Sequence, residues 1–398
     1  MMGRSLAFAA WICASLPHTT AFRAPAPTPD VDCFYQERHP HSYRAYHLQN
    51  GWLTIDGVLN ESAWEAVPFS SSFLDIQGRR HWSQPWFTTQ VKMRYDDTML
   101  YIGAYLEETA IWANETKRNS VVFHDNDFEV FVDPDGTTHN YKEIEVNALN
   151  TTWNLWLNKP YRNGGHENST RVDPAHGFDM FGHGFESAVH VDGAVNDATQ
   201  RLHYWTVEMA LPLAQLALHT QQEKTMPPQP NTHWRINFSR VEWQVRVRDG
   251  HSYEKIPGIP ESNWVWSPQY AIDMHMPENW GYVVFEGREQ TPPSDNPEPY
   301  FDPEWSHRFV AFQVYYAQAA YYKLHGYYAL SWSGEVQALV PEPSSIKCIH
   351  SVDIRASSKG QMYTAQVVRI HDTRVAIIRS DGFITVEMRK ESDLVAIS

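Results

Sequence analysis

Residues 125–136 constrain the fold more than any other segment, because their polarity alternates with the period of a β-strand. Successive side chains of a strand point to opposite faces. One face of the predicted strand is apolar and the other is mixed, with Phe128, Val130 and Val132 on the first and Glu129 and Phe131 on the second. The Asp-Gly pair that ends the segment is typical of a turn.

Further alternating segments follow at short intervals along the chain. Residues 141–148 and 152–157 extend the first strand into a meander with carboxylates and aromatic rings on its faces. Other predicted strands lie at 91–95, 100–106, 204–211, 234–240 and 281–285. With no βαβ rhythm and no Gly-rich phosphate loop, this pattern predicts a mainly β fold, an antiparallel β-sandwich of immunoglobulin-like or jelly-roll type.

The last quarter of the chain has a different pattern. Aromatic and small residues at helical spacing predict a helix from residue 303 to about 325, and four short strands follow at 351–357, 362–370, 374–379 and 383–388. We therefore divide the chain into a signal peptide (1–21), an irregular leader (22–45), the sandwich (46–286), a linker (287–302) and a helical and β extension (303–398).

The charge of the chain excludes some classes of partner. Its 398 residues carry a net charge of −15, which disfavours binding to nucleic acid or to an anionic membrane. No segment after the N-terminus is long and apolar enough to span a bilayer. Aromatic residues make up 14% of the chain, with 16 Trp and 20 Tyr, so many rings are available for a core or for a ligand.

The N-terminus indicates secretion. Arg4 precedes a short apolar run at residues 6–16, and Ala21 is a candidate cleavage site. Removal of the signal peptide would leave Cys33 and Cys348, which we predict to form a disulfide in an oxidising compartment. The candidate glycosylation sites are Asn60, Asn114, Asn150 and Asn168, with Asn237 weaker because it lies inside a predicted strand.

Two acidic residues on neighbouring strands are the first candidates for function. Glu129 and Glu145 could accept hydrogen bonds from sugar hydroxyls beside an aromatic platform. They could equally form a solvated polar face. A third possibility is a glycoside hydrolase that uses two carboxylates as acid and base, which would require a defined separation and divergent pKa values.

Aromatic residues near position 270 are candidates for stacking on a sugar ring. We expect Trp264 and Trp280 to pack in the core, and Trp266 and His275 to reach the surface. Core packing is the alternative for all four.

A cofactor is not certain from the sequence. Residues 124–127 and 133–136 offer oxygen donors that suit calcium, although neither segment is a complete calcium loop. The sequence contains no His/Cys cluster with zinc spacing and no G-x-S-x-G nucleophile motif.

Several motifs, taken in order, resemble one family. Residues 55–64, 95–102 and 127–133, with the later segments 205–212 and 234–238, resemble the carbohydrate-binding module family 9-like domain. The resemblance covers residues 46–286. It implies an immunoglobulin-like sandwich that binds sugars and is often attached to glycoside hydrolases, with calcium sites in some members.

The resemblance also indicates site residues. The family's acidic-strand glutamate falls on Glu129, and the aromatic residue that precedes it corresponds to Phe123, in place of Trp. The position of a strand arginine holds Glu145. Characterised members of the family hold the sugar between two Trp rings. Phe123 takes the place of the first ring, and the nearest counterpart of the second lies in residues 274–276.

The same sandwich resembles DOMON domains, some of which bind haem. In these domains Met and His or Lys side chains ligate the iron, which makes residues 274–276 a candidate haem site. The main prediction is a secreted protein that binds poly- or oligosaccharide through Phe123, Glu129, Glu145, Trp266 and His275. The alternatives are an O-glycosyl hydrolase or accessory module in carbohydrate catabolism, a haem-binding domain, and an adhesion module with no sugar ligand.

Overall fold

The computed structural model describes residues 33–49, 53–292, 298–370 and 372–389. The predicted signal peptide at residues 1–21 lies outside the described residues. In the part of the chain that is described, no helix combines the length and the apolar character that a membrane span requires.

Short strands dominate the chain up to residue 285. They are β1 (Ser42–His47), β2 (Leu74–Asp75), β3 (Thr89–Tyr95), β4 (Met99–Glu107), β5 (Asp127–Asp133), β6 (Tyr141–Asn147), β7 (Thr152–Leu157), β8 (Glu167–Asn168), β9 (Glu186–Val191), β10 (Tyr204–Pro212), β11 (His233–Glu242), β12 (Val245–Arg248), β13 (Ser252–Lys255), β14 (Ser262–Val265) and β15 (Gly281–Phe285). Two single-turn helices accompany them, α1 (Ser62–Glu65) and α2 (Leu213–Leu216).

One curled sheet forms the sandwich. Its strand order is β8-β7-β6-β5-β11-β15-β1-β3-β4-β10-β9, with β14 paired to β11 and β2 paired to β14. Strands β12 and β13 form a separate hairpin. The prediction of a mainly β sandwich is confirmed.

Strand β1 joins the two halves of the sheet and corrects two details of the prediction. Its first residues pair with β15 and its last two pair with β3, and both pairings are parallel. The sheet is therefore mixed and not purely antiparallel, and the first described strand begins at Ser42, inside the predicted leader. The strand is short and follows Pro40, so its alternation is weak in the sequence.

The core lies between the two halves of the sheet. The apolar face predicted for β5 is buried, since Phe128, Val130 and Val132 are each 0% exposed. The side chains that alternate with them, including Glu129 and Phe131, point to the outer face of the sheet. This alternation determines which residues can form a site on the outer face.

The C-terminal module consists of a long helix and a small sheet. Helix α3 (Trp305–His325) packs on the antiparallel meander of β16 (Ile349–Ala356), β17 (Tyr363–Arg369), β18 (Arg374–Arg379) and β19 (Ile384–Met388), and the short helix α4 (Gly334–Gln337) follows α3. The helix and the four strands agree with the prediction to within about two residues. The described residues between β15 and α3 contain no helix or strand.

A disulfide joins the start of the described chain to this module. Cys33 and Cys348 are bonded, with their Cα atoms 5.6 Å apart and a sequence separation of 315 positions. Both cysteines are buried in the apolar cluster that contains Trp305 and Phe309.

Breaking this disulfide is expected to destabilise the protein. Because the bond closes a very long loop, the Cys33→Ser/Cys348→Ser variant should lose about 2–4 kcal/mol of unfolding free energy, mainly through the larger entropy of the unfolded chain. Urea denaturation with and without reductant measures the loss. Reductant should shift the midpoint of the wild type and leave that of the variant unchanged; equal midpoints for all samples would contradict the prediction.

Candidate functional site

Four carboxylates lie together on the outer face of β5 and β6. We call Asp127, Glu129, Glu143 and Glu145 the acidic centre. Glu129 on β5 lies directly opposite Glu145 on β6. Asp127 and Glu143 belong to the two adjacent cross-strand pairs on the same face, opposite Asn147 and Phe131. None of the four residues is more than 6% exposed.

Apolar residues surround the acidic centre and exclude water from it. They form an outer apolar cluster of Val122, Phe131, Tyr141, Trp153, Leu155, Leu157 and Trp280. A short helical turn, Val122–His124, and the loop before β15 contribute to this cluster. The outer face of the sheet is therefore a second buried layer here, which no local pattern in β5 or β6 indicates.

Few donors satisfy the carboxylates of the acidic centre. The backbone N–H of Val241 donates to Asp127 Oδ1 at 3.2 Å, and that of Phe123 donates to Glu145 Oε2, also at 3.2 Å. Among the described residues, Asp127 Oδ2, Glu143 Oε2 and Glu145 Oε1 have no hydrogen-bond partner. None of the four carboxylates forms an ion pair with a described Lys, Arg or His residue.

The surroundings of the acidic centre favour protonation. Burial raises the pKa of Glu129 to about 7, opposed by a hydrogen bond with Ser239. Burial, followed by repulsion from the neighbouring carboxylates, raises the pKa values of Asp127, Glu143 and Glu145 well above their usual range. At neutral pH the centre must therefore retain protons or bind a cation.

An aromatic rim borders the acidic centre on its solvent side. We use this name for Phe123, Trp153, Tyr161 and Arg171. Phe123 and Tyr161 are 40% and 44% exposed. The ring centroids of Phe123 and Trp153 are 6.5 Å apart, and the guanidinium carbon of Arg171 lies 5.1 Å from the centroid of the Trp153 ring.

Tyr161 and Phe123 both lie beside Glu145. The backbone N–H of Phe123 donates a hydrogen bond to Glu145 Oε2. Burial and the nearby carboxylates of Glu143, Glu167 and Glu145 raise the pKa of the Tyr161 hydroxyl. The rim thus combines two exposed aromatic rings with carboxylates below them.

The C-terminal module contributes to the position of Tyr161. This residue begins a 3₁₀ turn, Tyr161–Asn163, whose other side chains are anchored. Arg162 donates to both carboxylate oxygens of Glu278, at 2.8 and 2.9 Å, and Asn163 donates to the backbone carbonyl of Asp381 at 2.6 Å. Contacts with Glu278 and Asp381 therefore hold the turn that carries Tyr161 in place.

The structure brings together three of the five predicted sugar contacts and separates the others. Phe123, Glu129 and Glu145 are neighbours, although both glutamates are buried. His275 lies at the edge of the site, with its Nδ1 2.9 Å from the hydroxyl of Tyr141, and burial lowers its pKa to about 4. Its ring is therefore neutral at pH 7.

The surface position predicted for Trp266 is wrong. Its side chain is 1% exposed and belongs to the core between the sheet halves, as does Trp264. The ring packs so closely on Gly281 that a Cβ atom there would lie 2.2 Å from it. Trp280 is also buried, as predicted.

In the two segments with calcium-type oxygen donors, the carboxylates accept hydrogen bonds, mostly from backbone N–H groups. Asp133 accepts hydrogen bonds from the N–H groups of Gly136 and Thr138, and both oxygens of Asp135 are also occupied. Asp125 accepts three donors through Oδ2. Asp127, by contrast, retains a buried carboxylate oxygen without a donor among the described residues.

Two of the three residues considered for haem lie in the same surroundings. Met274 packs on the outer apolar cluster, and the His275 ring contacts Tyr141 and Phe131, which belong to that cluster. Met276 instead lines a cavity beside α3.

The predicted glycosylation sites differ in exposure. Asn60, Asn114 and Asn150 are exposed and Asn168 is half-buried, whereas Asn237 is fully buried in β11. The amide of Asn150 is already hydrogen-bonded to Ser187.

The burial of Glu129 and Glu145 bears on the alternative of a glycoside hydrolase that uses them as acid and base. Glu129 and Glu145 are close, but they are only 6% and 1% exposed, and burial moves both pKa values in the same direction. A glycosidic bond could not reach both carboxylates unless the covering loops moved.

Comparisons with known proteins identify one family. The sequence model of the family described as "Carbohydrate family 9 binding domain-like" matches residues 55–229. No curated protein matches the chain.

Three solved structures show limited similarity. A putative carbohydrate-binding protein from Bacteroides uniformis is 14% identical, with a TM-score of 0.41, and the match covers 62% of this chain and 100% of that chain. A family 9 carbohydrate-binding module from Caldicellulosiruptor kristjanssonii was solved with cellotriose (14% identity, TM-score 0.38, coverage 66% and 100%) and with glucose (16%, 0.38, 65% and 100%).

The matched segment contains strands β2 to β10, the acidic centre and all four residues of the rim. Residues 55–229 of the chain are therefore similar to the carbohydrate family 9 binding domain-like family.

Proposed function

We propose that the protein binds carbohydrate at the aromatic rim. The observation that carries this proposal is the pair of exposed rings, Phe123 and Tyr161, that both lie near Glu145 within the segment that matches the family. Aromatic faces bury the CH groups of a pyranose ring, while polar groups at the ring edge accept or donate hydrogen bonds to its hydroxyls.

The polar partners at the rim are Arg171 and Glu167. They form an ion pair with each other, and the Arg171 side chain also lies over the Trp153 ring. The carboxylates of Glu129 and Glu145 lie below the sugar in this proposal, and Glu145 supports the rim by accepting a hydrogen bond from the Phe123 backbone N–H. The site suits the end of a sugar chain or a short oligosaccharide, because two rings present a small apolar area.

Removing the rim rings should weaken sugar binding. We expect Tyr161→Ala and Phe123→Ala each to reduce the affinity for a recognised oligosaccharide about tenfold, since stacking contributes about 1 kcal/mol in addition to buried area. Calorimetry against a panel that includes cellotriose and glucose, with the purified full chain, measures the loss.

Tyr327→Ala is the matched control. Tyr327 is 45% exposed, similar to Tyr161, but belongs to the C-terminal module and contacts Tyr321. Its replacement should leave the affinity unchanged. Binding that is insensitive to both rim variants would reject the rim as the site, and release of reducing sugar by the pure protein would favour the hydrolase alternative.

We also propose that the protein is secreted. The support is the signal-like segment at residues 1–21 and the disulfide between Cys33 and Cys348. Mass spectrometry of protein from a secreting eukaryotic host should find a mature N-terminus after residue 21, no free thiol, and glycans on one or more of Asn60, Asn114 and Asn150. An intact N-terminus with three free thiols, those of Cys13, Cys33 and Cys348, would contradict the proposal.

A further inference from the structure

We propose that the acidic centre is a binding site for one divalent cation, best suited to calcium, with Asp127, Glu129 and Glu145 as ligands. One carboxylate oxygen from each residue lies within 4.8 Å of the other two. Calcium–oxygen distances are about 2.3–2.6 Å, so oxygens on opposite sides of one calcium ion are up to about 5 Å apart. The three oxygens therefore fit a single coordination sphere.

The unpartnered oxygens are a second observation that points to a cation. Asp127 Oδ2 and Glu145 Oε1 belong to side chains that are 0% and 1% exposed, and neither atom has a donor among the described residues. Glu143 Oε2, from the neighbouring row, is also without a partner. Buried carboxylate oxygens are normally satisfied by donors, so three such atoms together indicate a missing positive group.

The protein itself provides little positive charge at this place. Arg171, which Glu145 influences, is already paired with Glu167, and its guanidinium lies over the Trp153 ring. The polar atoms that reach the centre from neighbouring elements are the N–H groups of Val241 and Phe123 and the hydroxyl of Ser239, which are uncharged. A divalent ion would neutralise charge that these dipoles leave uncompensated.

A second group of three carboxylates lies elsewhere in the sandwich and differs from the acidic centre in its burial and its hydrogen bonds. Asp56, Glu61 and Glu208 also bring their oxygens within 4.8 Å of one another. The carboxylate of Glu208, however, accepts hydrogen bonds from the N–H groups of Asp56 and Gly57 and from the Trp64 indole, at 2.6–3.0 Å. Asp56 is exposed to solvent. Glu61 Oε2 has no donor among the described residues, but the Glu61 side chain is only half-buried. Donors already satisfy Glu208, the fully buried member of this group, so the proposal concerns the acidic centre alone.

Terbium is a suitable probe for this site. Tb³⁺ replaces Ca²⁺ at oxygen sites and luminesces when a nearby indole absorbs light, and Trp153 lies opposite Glu145 in the strand pairing. The full chain, stripped with EDTA and free of sugar, should bind one Tb³⁺ with sensitised emission, and Ca²⁺ should displace it. Glu129→Gln and Glu145→Gln should each weaken Tb³⁺ and Ca²⁺ binding tenfold or more.

The control is Asp249→Asn, which removes a carboxylate that is 83% exposed and should leave metal binding unchanged. Circular dichroism confirms that each variant is folded. The proposal is overturned if the stripped protein binds neither ion, or if folded Glu129→Gln and Glu145→Gln bind as tightly as the wild type. Loss of binding only in Asp56→Asn would also overturn it, because the ion would then lie at the second group. No sugar is present, so the outcome is independent of the proposed function.

Discussion

Trp266→Ala is expected to cost about 3–5 kcal/mol of unfolding free energy, because the substitution removes a large side chain that is 1% exposed in the core and leaves a cavity. Urea denaturation at pH 7 measures the change. Sugar affinity per folded molecule should stay at the wild-type value, since the ring lies between the sheet halves and not at the rim.

Trp82→Ala is the control for this prediction. Trp82 is 89% exposed, so its replacement should change the unfolding free energy by no more than about 0.5 kcal/mol. If Trp266→Ala is too unstable to measure, Trp266→Phe retains part of the packing and should give a smaller loss in the same direction. A stable Trp266→Ala variant that has lost sugar binding would restore the surface role that the sequence predicts for this residue.

The metal-free protein is expected to become less stable as the pH rises from 5 to 8. The pKa of Glu129 is about 7 in the folded protein, above its ordinary value of 4.5, so the folded state binds the proton more tightly than the unfolded state. Its contribution to stability is complete below about pH 4.5 and is lost as the pH rises through 7. A shift of this size corresponds to about 3 kcal/mol at pH 8, and the other three carboxylates act in the same direction.

Comparison with Glu129→Gln isolates this contribution from the histidines and other titrating groups. In EDTA, the variant should gain about 2.5 kcal/mol relative to the wild type between pH 5 and pH 8, because Gln does not ionise. Asp249→Asn should follow the wild type throughout this range. Parallel pH profiles for the wild type and Glu129→Gln would show that the acidic centre is not coupled to stability in this way.

The elements of the fold could largely be predicted from local patterns. The apolar face of β5, helix α3 and the four C-terminal strands each depend on a periodicity that is complete within one segment. The same rule could have placed Trp266 correctly. Trp264 and Trp266 are two residues apart on one extended segment, so a core position for the first predicts a core position for the second.

The site could be predicted only in part, because its environment depends on distant segments. The positions of Glu129 and Glu145 on one face follow from strand alternation. Their burial depends on the turn Val122–His124 and on the loop before β15, which approach only in the folded chain. Tyr161 lies in a loop whose position depends on Glu278 and Asp381, more than 100 residues away in sequence.

The bond between Cys33 and Cys348 also determines how the molecule would respond to mechanical force. Every strand of the sandwich lies between these two cysteines in the chain. Tension applied to the chain before Cys33 and after Cys348 would pass through the sulfur atoms, and the sandwich would carry none of it. Reduction would place the sandwich directly in the path of the force, so the redox state of one bond determines whether pulling can unfold the rim.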